Sequence, residues 1–223
     1  MKYFSVISNS SIFKGLNDEE IAEVLKAADT KTYEYKKGEY ILHAGERVEK
    51  FGMVLSGRAL VIQEDFWGNR NIMTALSAGE LFAESFACAS GAVATVSVAA
   101  ESDCSVAFIS ASGIIGLADS DLPFCRRVIK NLITDMASKN LRFNEKIMHM
   151  SQRTTREKLL SFLSFYARKM NVCEFDIPFS RQQMADYLSV ERSAMSAELS
   201  RLRRDGIISY NKNHFVLHMK TEK

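Results

Sequence analysis

The segment from Phe179 to Leu202, FSRQQMADYLSVERSAMSAELSRL, constrains the fold more than any other part of this chain. It reads as two short helices joined by a tight turn. Met184, Ala185 and Leu188 recur at spacings that place them on one side of a helix over Arg181–Leu188. Ser180 stands where an N-cap belongs, and Gln183 three residues later completes a capping-box pattern. After a turn at Ser189 and Val190, a second helix buries Met195, Leu199 and Leu202, at steps of four and three. Its opposite face carries Glu191, Arg192, Ser193, Ser196, Ala197 and Ser200. Short polar side chains with an arginine near the helix start suit the DNA major groove, where bulk clashes and arginine binds guanine O6 and N7 bidentately. An ordinary helical hairpin with a solvated face gives the same pattern, so the surroundings must discriminate.

Those surroundings favour nucleic acid. Arg201, Arg203 and Arg204 follow, then Asp205-Gly206 as a helix stop. Ile207–Tyr210 and His214–His218 read as two strands around the turn Asn211-Lys212-Asn213. A helix-turn-helix followed by a small hairpin is the winged variant. From Gln152 onward there are 13 Lys and Arg against 8 Asp and Glu, a net of +5, which leaves −3 for residues 1–151. The whole-chain charge of +2 thus hides a basic C-terminal third, as expected if only that part meets phosphates.

At 223 residues and 47 % hydrophobic content the chain can build packed cores. No stretch approaches the roughly 20 uncharged apolar residues that span a bilayer. The N-terminus lacks a continuous apolar run before its charges, so no secretory signal is read and a cytoplasmic protein without membrane partners is expected. Cys88, Cys104, Cys125 and Cys173 lie far apart with no CxxC pair, neither a disulfide framework nor a zinc pattern. No metal or cofactor is expected.

After a short helix capped by Asn17, with Glu20 three residues on, the hydrophobic period changes. From Lys31 to Ile109 short alternating runs are punctuated by Gly38, Gly45, Gly57, Gly68 and Gly79, close to the turn spacing of a sandwich or barrel. The expected strands are Thr32–Tyr35, Tyr40–His43, Phe51–Ser56, Arg58–Glu64, Asn71–Leu76, Thr95–Ala100 and Ser105–Ile109, interrupted by a helix around Phe82–Ala89. This outlines a jelly roll of the kind that encloses a pocket. Metal-dependent oxygenases share that roll, but they need clustered His and carboxylate ligands. With only His43 in the roll, and no P-loop, GxSxG or GxGxxG motif, an enzyme is not expected.

Between roll and hairpin, Leu122–Ser151 is helical in pattern, with Pro123 suited to its first turn. Val128, Leu132, Met136, Phe143, Ile147 and Met150 trace an apolar stripe at steps of 4, 4, 7, 4 and 3, and Asn140 stands midway between Met136 and Phe143. A helix of this length, roughly 42 Å at 1.5 Å per residue, suits a homodimer seam in which the asparagine fixes register. The alternative is that the stripe packs wholly on its own roll.

Taken together, KKGEYILHAGE (36–46), VLSGRALVIQED (54–65), SAGELFAES (77–85) and SRQQMADYLSVERSAMSAELSRLRRDGII (180–208) resemble the Crp/Fnr superfamily of bacterial transcription regulators over essentially the whole chain. The resemblance implies an α+β chain: an effector β-roll over 1–121 (a double-stranded β-helix, or jelly roll), a dimerisation helix and hinge over 122–151, and a winged helix-turn-helix over 152–223. Its partners would be double-stranded DNA, a second copy of the chain, a small-molecule effector and RNA polymerase. Arg192 falls where the family's arginine reads a guanine. Ser189, Glu191, Ser193, Ser196 and Ala197 lie at or beside groove-facing positions, and Arg181 and Lys212 are expected on phosphates. Ser193 and Ala197 depart from the glutamate and arginine of well-known members, which implies a different operator. Val128, Leu132, Met136, Asn140, Phe143 and Ile147 would form the dimer interface.

The effector pocket would be lined by Gly79, Glu80, Leu81, Glu84, Ala94 and Thr95. There Ala94 replaces the family arginine that neutralises a cyclic phosphate, a charge-assisted contact of about 1.5–3 kcal/mol. Its neighbours Ala92, Val93 and Val96 are apolar, so a neutral or apolar effector, or none, is expected rather than a cyclic nucleotide. A cyclic-nucleotide-responsive regulator, thiol-based sensing at Cys88 and a ligand-binding module acting through protein partners remain as alternatives.

Overall fold

The structure, a computed structural model, describes residues 2–65, 67, 70–89 and 91–218. Two compact units divide the chain, Met1–Ser138 and Lys139–Lys223.

The first unit opens with helices α1 (Phe4–Ser8) and α2 (Asp18–Ala27). Asn17 and Glu20 cap α2 reciprocally: the Glu20 N–H donates to Asn17 Oδ1 at 2.9 Å and the Asn17 N–H to Glu20 Oε2 at 2.8 Å. Strands β1 (Lys31–Tyr35), β2 (Tyr40–Leu42), β3 (Lys50–Ser56), β4 (Ala59–Glu64), β5 (Arg70–Leu76) and β6 (Leu81–Phe82) follow. Helix α3 (Glu84–Cys88), strands β7 (Ser97–Ala100) and β8 (Cys104–Ser110) and helix α4 (Ala111–Gly116) complete the roll. The strands form two antiparallel four-stranded sheets, ordered β1-β8-β3-β6 and β2-β7-β4-β5, which is the expected jelly roll.

Period-two alternation builds two cores on opposite faces of the first sheet. Phe51, Met53 and Leu55 of β3, Leu81 of β6, and Ala107 and Ile109 of β8 pack beneath the helices. Val54, Phe82, Cys104 and Val106 point the other way, into the space between the sheets, against Ile41, Leu42, Ala59, Leu76, Val98 and Ala100. Two glycines permit this packing. A Cβ on Gly52 would lie 2.0 Å from Phe82 Cζ, and one on Gly57, whose φ is +74°, would lie 2.2 Å from the Asp103 carbonyl.

The seven expected strands are present, each with ends shifted by two residues or fewer. Gly38, Gly45, Gly57 and Gly79 take positive φ at the turns, while Gly68 lies outside the described residues. The helix expected to begin at Phe82 begins at Glu84. Leu81 and Phe82 pair with β3 instead, and Ala83, at φ 63°, turns the chain between strand and helix.

Helix α5 (Pro123–Met150) runs 28 residues. Val128 is fully buried and Leu132 is 4 % exposed within the first unit's core, with Met136 half-buried against it. Val128 and Leu132 therefore serve their own roll, which removes them from the expected interface, while Met136 keeps part of its surface. At about 100° per residue the stripe read from sequence occupies one arc of roughly 120°, and only its part up to Met136 packs in the first unit's core. The other face, roughly a third of a turn away, carries Ile133, Ala137, Asn140, Asn144 and Ile147, all exposed. Phe143 is also exposed.

The second unit continues with α6 (Thr155–Met170), β9 (Glu174–Asp176), α7 (Arg181–Leu188), α8 (Arg192–Arg204), β10 (Ile208–Asn211) and β11 (His214–Leu217). The winged helix-turn-helix is as expected over 180–218, and α6 and β9 add to it. β9 pairs with β11, making the wing a three-stranded sheet ordered β10-β11-β9. Phe162, Leu163, Met184, Leu188, Met195, Leu199, Leu202 and Phe215 form its core.

Candidate nucleic-acid interface

Local capping sets both helices of the hairpin. Ser180 and Gln183 form the anticipated reciprocal box at the start of α7. Ser189 ends α7 in the left-handed conformation, φ 50°, and its hydroxyl faces Met150 Sδ at 3.8 Å. Glu191 caps α8: its carboxylate accepts from the Ala194 N–H at 2.8 Å and from the Ser193 hydroxyl. The Ser193 hydroxyl and the backbone N–H groups of Ser193 and Ala194 hold the Glu191 carboxyl below the usual carboxylate range. Glu191 and Ser193, both read from sequence as groove-facing, thus engage each other at the helix start. A glutamate at the N-cap is the signal that could have disclosed this.

The inner side of α8 is locked by charge as well as by apolar packing. Glu198, only 8 % exposed, accepts from Arg156 of α6 and from Arg201, each at 3.1 Å. Arg156 also donates to Asp205 at 2.8 Å. Arg156 and Arg201 are therefore engaged with carboxylates.

The outer side differs. Arg192, Ser193, Ser196, Ala197 and Ser200 are exposed. Arg192, Arg203, Arg204 and Lys212 have no carboxylate partner among the described residues. The Ser196 hydroxyl donates to the Arg192 carbonyl at 2.9 Å and that of Ser200 to the Ser196 carbonyl at 3.0 Å. Their protons are committed to the helix while the oxygen lone pairs remain available.

Arg181 lies differently from a free surface clamp. Its guanidinium is half-buried over the Tyr210 and Phe215 rings, at 4.8 and 5.0 Å, and Nη1 is buried without a hydrogen-bond partner. Burial lowers its pKa. With Lys212, whose φ is +52° in the wing turn, it lines a concavity completed by Pro178, Phe179, Ser180 and Asn213.

In the roll, the expected effector residues do not share one face. Ala94 is buried in the core between the sheets, whereas Leu81 packs in the core beneath the helices, which removes Leu81 from that lining. Thr95 is exposed and Glu84 is buried at the start of α3. Gly79 turns at φ +88°, and the Glu80 carboxylate accepts from the Ser77 N–H at 2.7 Å. One cation comes near through a pairing the sequence did not disclose: Arg47 bridges Val93 across an antiparallel pair. Paired residues project to the same face, so Arg47 shares the outer side with exposed Val93 while Ala94 faces inward. Among the described residues no group of three His, Cys, Asp or Glu side chains is placed to hold a metal ion, and no helix is long and apolar enough to cross a membrane.

Comparison with known proteins agrees with this geometry. Residues 32–121 match the cyclic nucleotide-binding domain family, and residues 157–221 match the Crp-like helix-turn-helix domain family. The transcriptional activator protein FnrL of Cereibacter sphaeroides is 32 % identical over 83 residues, covering 33 % of this chain and 34 % of that protein. The chain thus spans about a third of the length of that curated relative. The fold is that of FixK2 from Bradyrhizobium japonicum, at TM-score 0.51 and 23 % identity over 86 % of this chain and 93 % of that one. It is likewise that of the c-di-GMP responsive global regulator CLP of Xanthomonas campestris, at TM-score 0.55 and 17 % identity over 89 % and 100 %. With both domains present in that order on this fold, the chain belongs to the Crp/Fnr family.

Proposed function

We propose that this chain is a DNA-binding transcription regulator that acts as a symmetric pair, each copy laying α8 in a major groove. The observation that carries the reading is a split among the cations at α8: Arg156 and Arg201 are engaged by Glu198, whereas the exposed Arg192, Arg203 and Arg204 have no carboxylate partner among the described residues. In this reading Arg192 binds a guanine edge. Ser196 and Ser200, with their protons committed, accept from the amino groups of adenine or cytosine, and Ala197 leaves room for a thymine methyl. Arg181 and Lys212 meet backbone phosphates, and Ser189 and Glu191 hold the helix ends that aim α8.

Pairing uses the exposed face of α5. Ile133, Ala137, Asn140, Asn144 and Ile147 recur at steps of 4, 3, 4 and 3, the spacing of a coiled-coil seam, and Leu141 and Met148 flank them. Asn144 Nδ2 donates to Asn140 Oδ1 at 2.9 Å, and a polar pair in such a seam specifies register. The roll serves as the effector domain for a neutral or apolar small molecule. Ala94 in its interior offers no charge to a cyclic phosphate, and the rings of Phe82 and Phe108, 6.2 Å apart, enrich that interior in apolar surface.

Selection from a randomised duplex library tests the reading. The expected outcome is an inverted repeat with a guanine in each half, whose enrichment disappears in Arg192→Ala. Failure to enrich any sequence would favour a module that acts through protein partners.

A further inference from the structure

Tyr210 of β10 touches two helices at once. Its ring centroid lies 4.8 Å from Arg181 Cζ, at the first residue of α7, and 5.1 Å from Arg203 Cζ, in the last turn of α8. Its hydroxyl is 3.4 Å from Ser200 Oγ on the exposed face of α8. Neither guanidinium has a carboxylate partner among the described residues, and Arg181 Nη1 has no hydrogen-bond partner. Two like charges held against one ring repel each other, and an approaching anion relieves that repulsion. The ring's negative face attracts both guanidiniums, which is why they can be held there without a carboxylate.

We infer that Tyr210 is a positioning residue for duplex binding: its π face holds Arg181 and Arg203 together so that both are presented to the phosphate backbone. The inference rests on the DNA-binding reading above. It assigns the effect to the ring's electrons, not to its hydroxyl or its bulk. Phenylalanine should therefore serve at this position and leucine should not.

The test titrates the full chain against a random-sequence duplex of about 30 base pairs over roughly 50–200 mM salt, because phosphate binding is independent of sequence. Thermal melting of each variant is followed alongside. Tyr210→Phe is expected to match the wild type. Tyr210→Leu is expected to bind about tenfold more weakly. Its slope of log affinity on log salt should be shallower by about 0.9 for each phosphate no longer neutralised. Arg203→Gln should weaken binding in the wild type and add nothing in the Tyr210→Leu background. A series replacing Tyr210 with mono-, di- and trifluorinated phenylalanine keeps the ring's shape while draining its π face, so it reads the same effect if Tyr210→Leu folds poorly. Affinity falling with each fluorine supports the inference. A flat fluorine series, or an unchanged salt slope in a folded Tyr210→Leu, overturns it. A wild type that ignores the duplex even at low salt overturns the DNA-binding reading itself, before any variant is compared.

Discussion

The roll and the C-terminal unit treat charge in opposite ways. Where a cyclic phosphate would sit in the roll, the inward side chain is Ala94, and the nearby cation Arg47 shares the outer face with Val93. In the C-terminal unit, Arg192, Arg203, Arg204 and Lys212 stand without carboxylate partners among the described residues, and Arg181 lies over the Tyr210 and Phe215 rings. Arg181 is the buried case: a cation taken out of water needs a counter-charge or hydrogen bonds, so its unpartnered Nη1 marks a place where an anion is expected. In the proposed reading, phosphate recognition thus belongs to the helix-turn-helix unit and not to the interior of the roll.

The sharpest way to break this contrast is to remove a core residue from one side only. Phe162 is fully buried in the C-terminal unit, and Phe162→Ala should cost that unit about 3–5 kcal/mol. Calorimetry should show one transition lowered and the roll's transition unmoved; equal lowering of both would mean the two cores do not melt separately. Next in size, Arg192→Ala should cost about 1–3 kcal/mol of discrimination at one base pair per half-site, read by competition between single-base operator variants. An equal loss on all sequences would make Arg192 a phosphate ligand.

A smaller effect depends on pH. His149 is buried among Phe162, Phe165 and Tyr187, with Nδ1 2.8 Å from Ser161 Oγ and Nε2 unpartnered. Burial holds its imidazole below the usual pKa; Glu145 opposes that shift and Arg168 adds to it. The neighbouring Tyr187 hydroxyl is pushed up to about 12, chiefly by burial. The folded unit therefore carries His149 neutral. As pH falls below about 6.5, the unfolded chain takes up a proton that the folded unit resists, and stability declines until the lowered folded pKa is passed. His149→Gln should flatten that part of the stability curve in urea titrations, and an unchanged slope would assign it to other groups. Smallest is an expected null: cyclic AMP or cyclic GMP at millimolar concentration should leave the roll's melting temperature in place. A ligand at about 100 times its Kd would stabilise by roughly 2.7 kcal/mol, so binding would be plain in the melt.

Much of this architecture was legible because local chemistry agreed with tertiary packing. Ser180 with Gln183, and Asn17 with Glu20, delimit α7 and α2 through hydrogen bonds made within four residues. β3 and β8 were readable as nearly continuous apolar runs because that sheet is buried on both faces. What escaped depended on partners distant in sequence. β9 is a strand only because β11 lies beside it, and Leu81–Phe82 because β3 does. The stripe on α5 misled because one apolar arc changes role along its length: Val128 and Leu132 are buried in the first unit's core, whereas Phe143 and Ile147 further along are exposed. At the candidate site, the exposure of Arg192 and Ser196 followed from helical spacing. The folding of Arg181 onto Tyr210 did not, because it requires the wing to be in place.

Hydroxyl-radical footprinting on a selected fragment tests the paired, groove-reading molecule most directly. Two protected patches on one face of the duplex, centred one helical turn or about 34 Å apart, are predicted. A single patch, or protection spread evenly along the fragment, would contradict it.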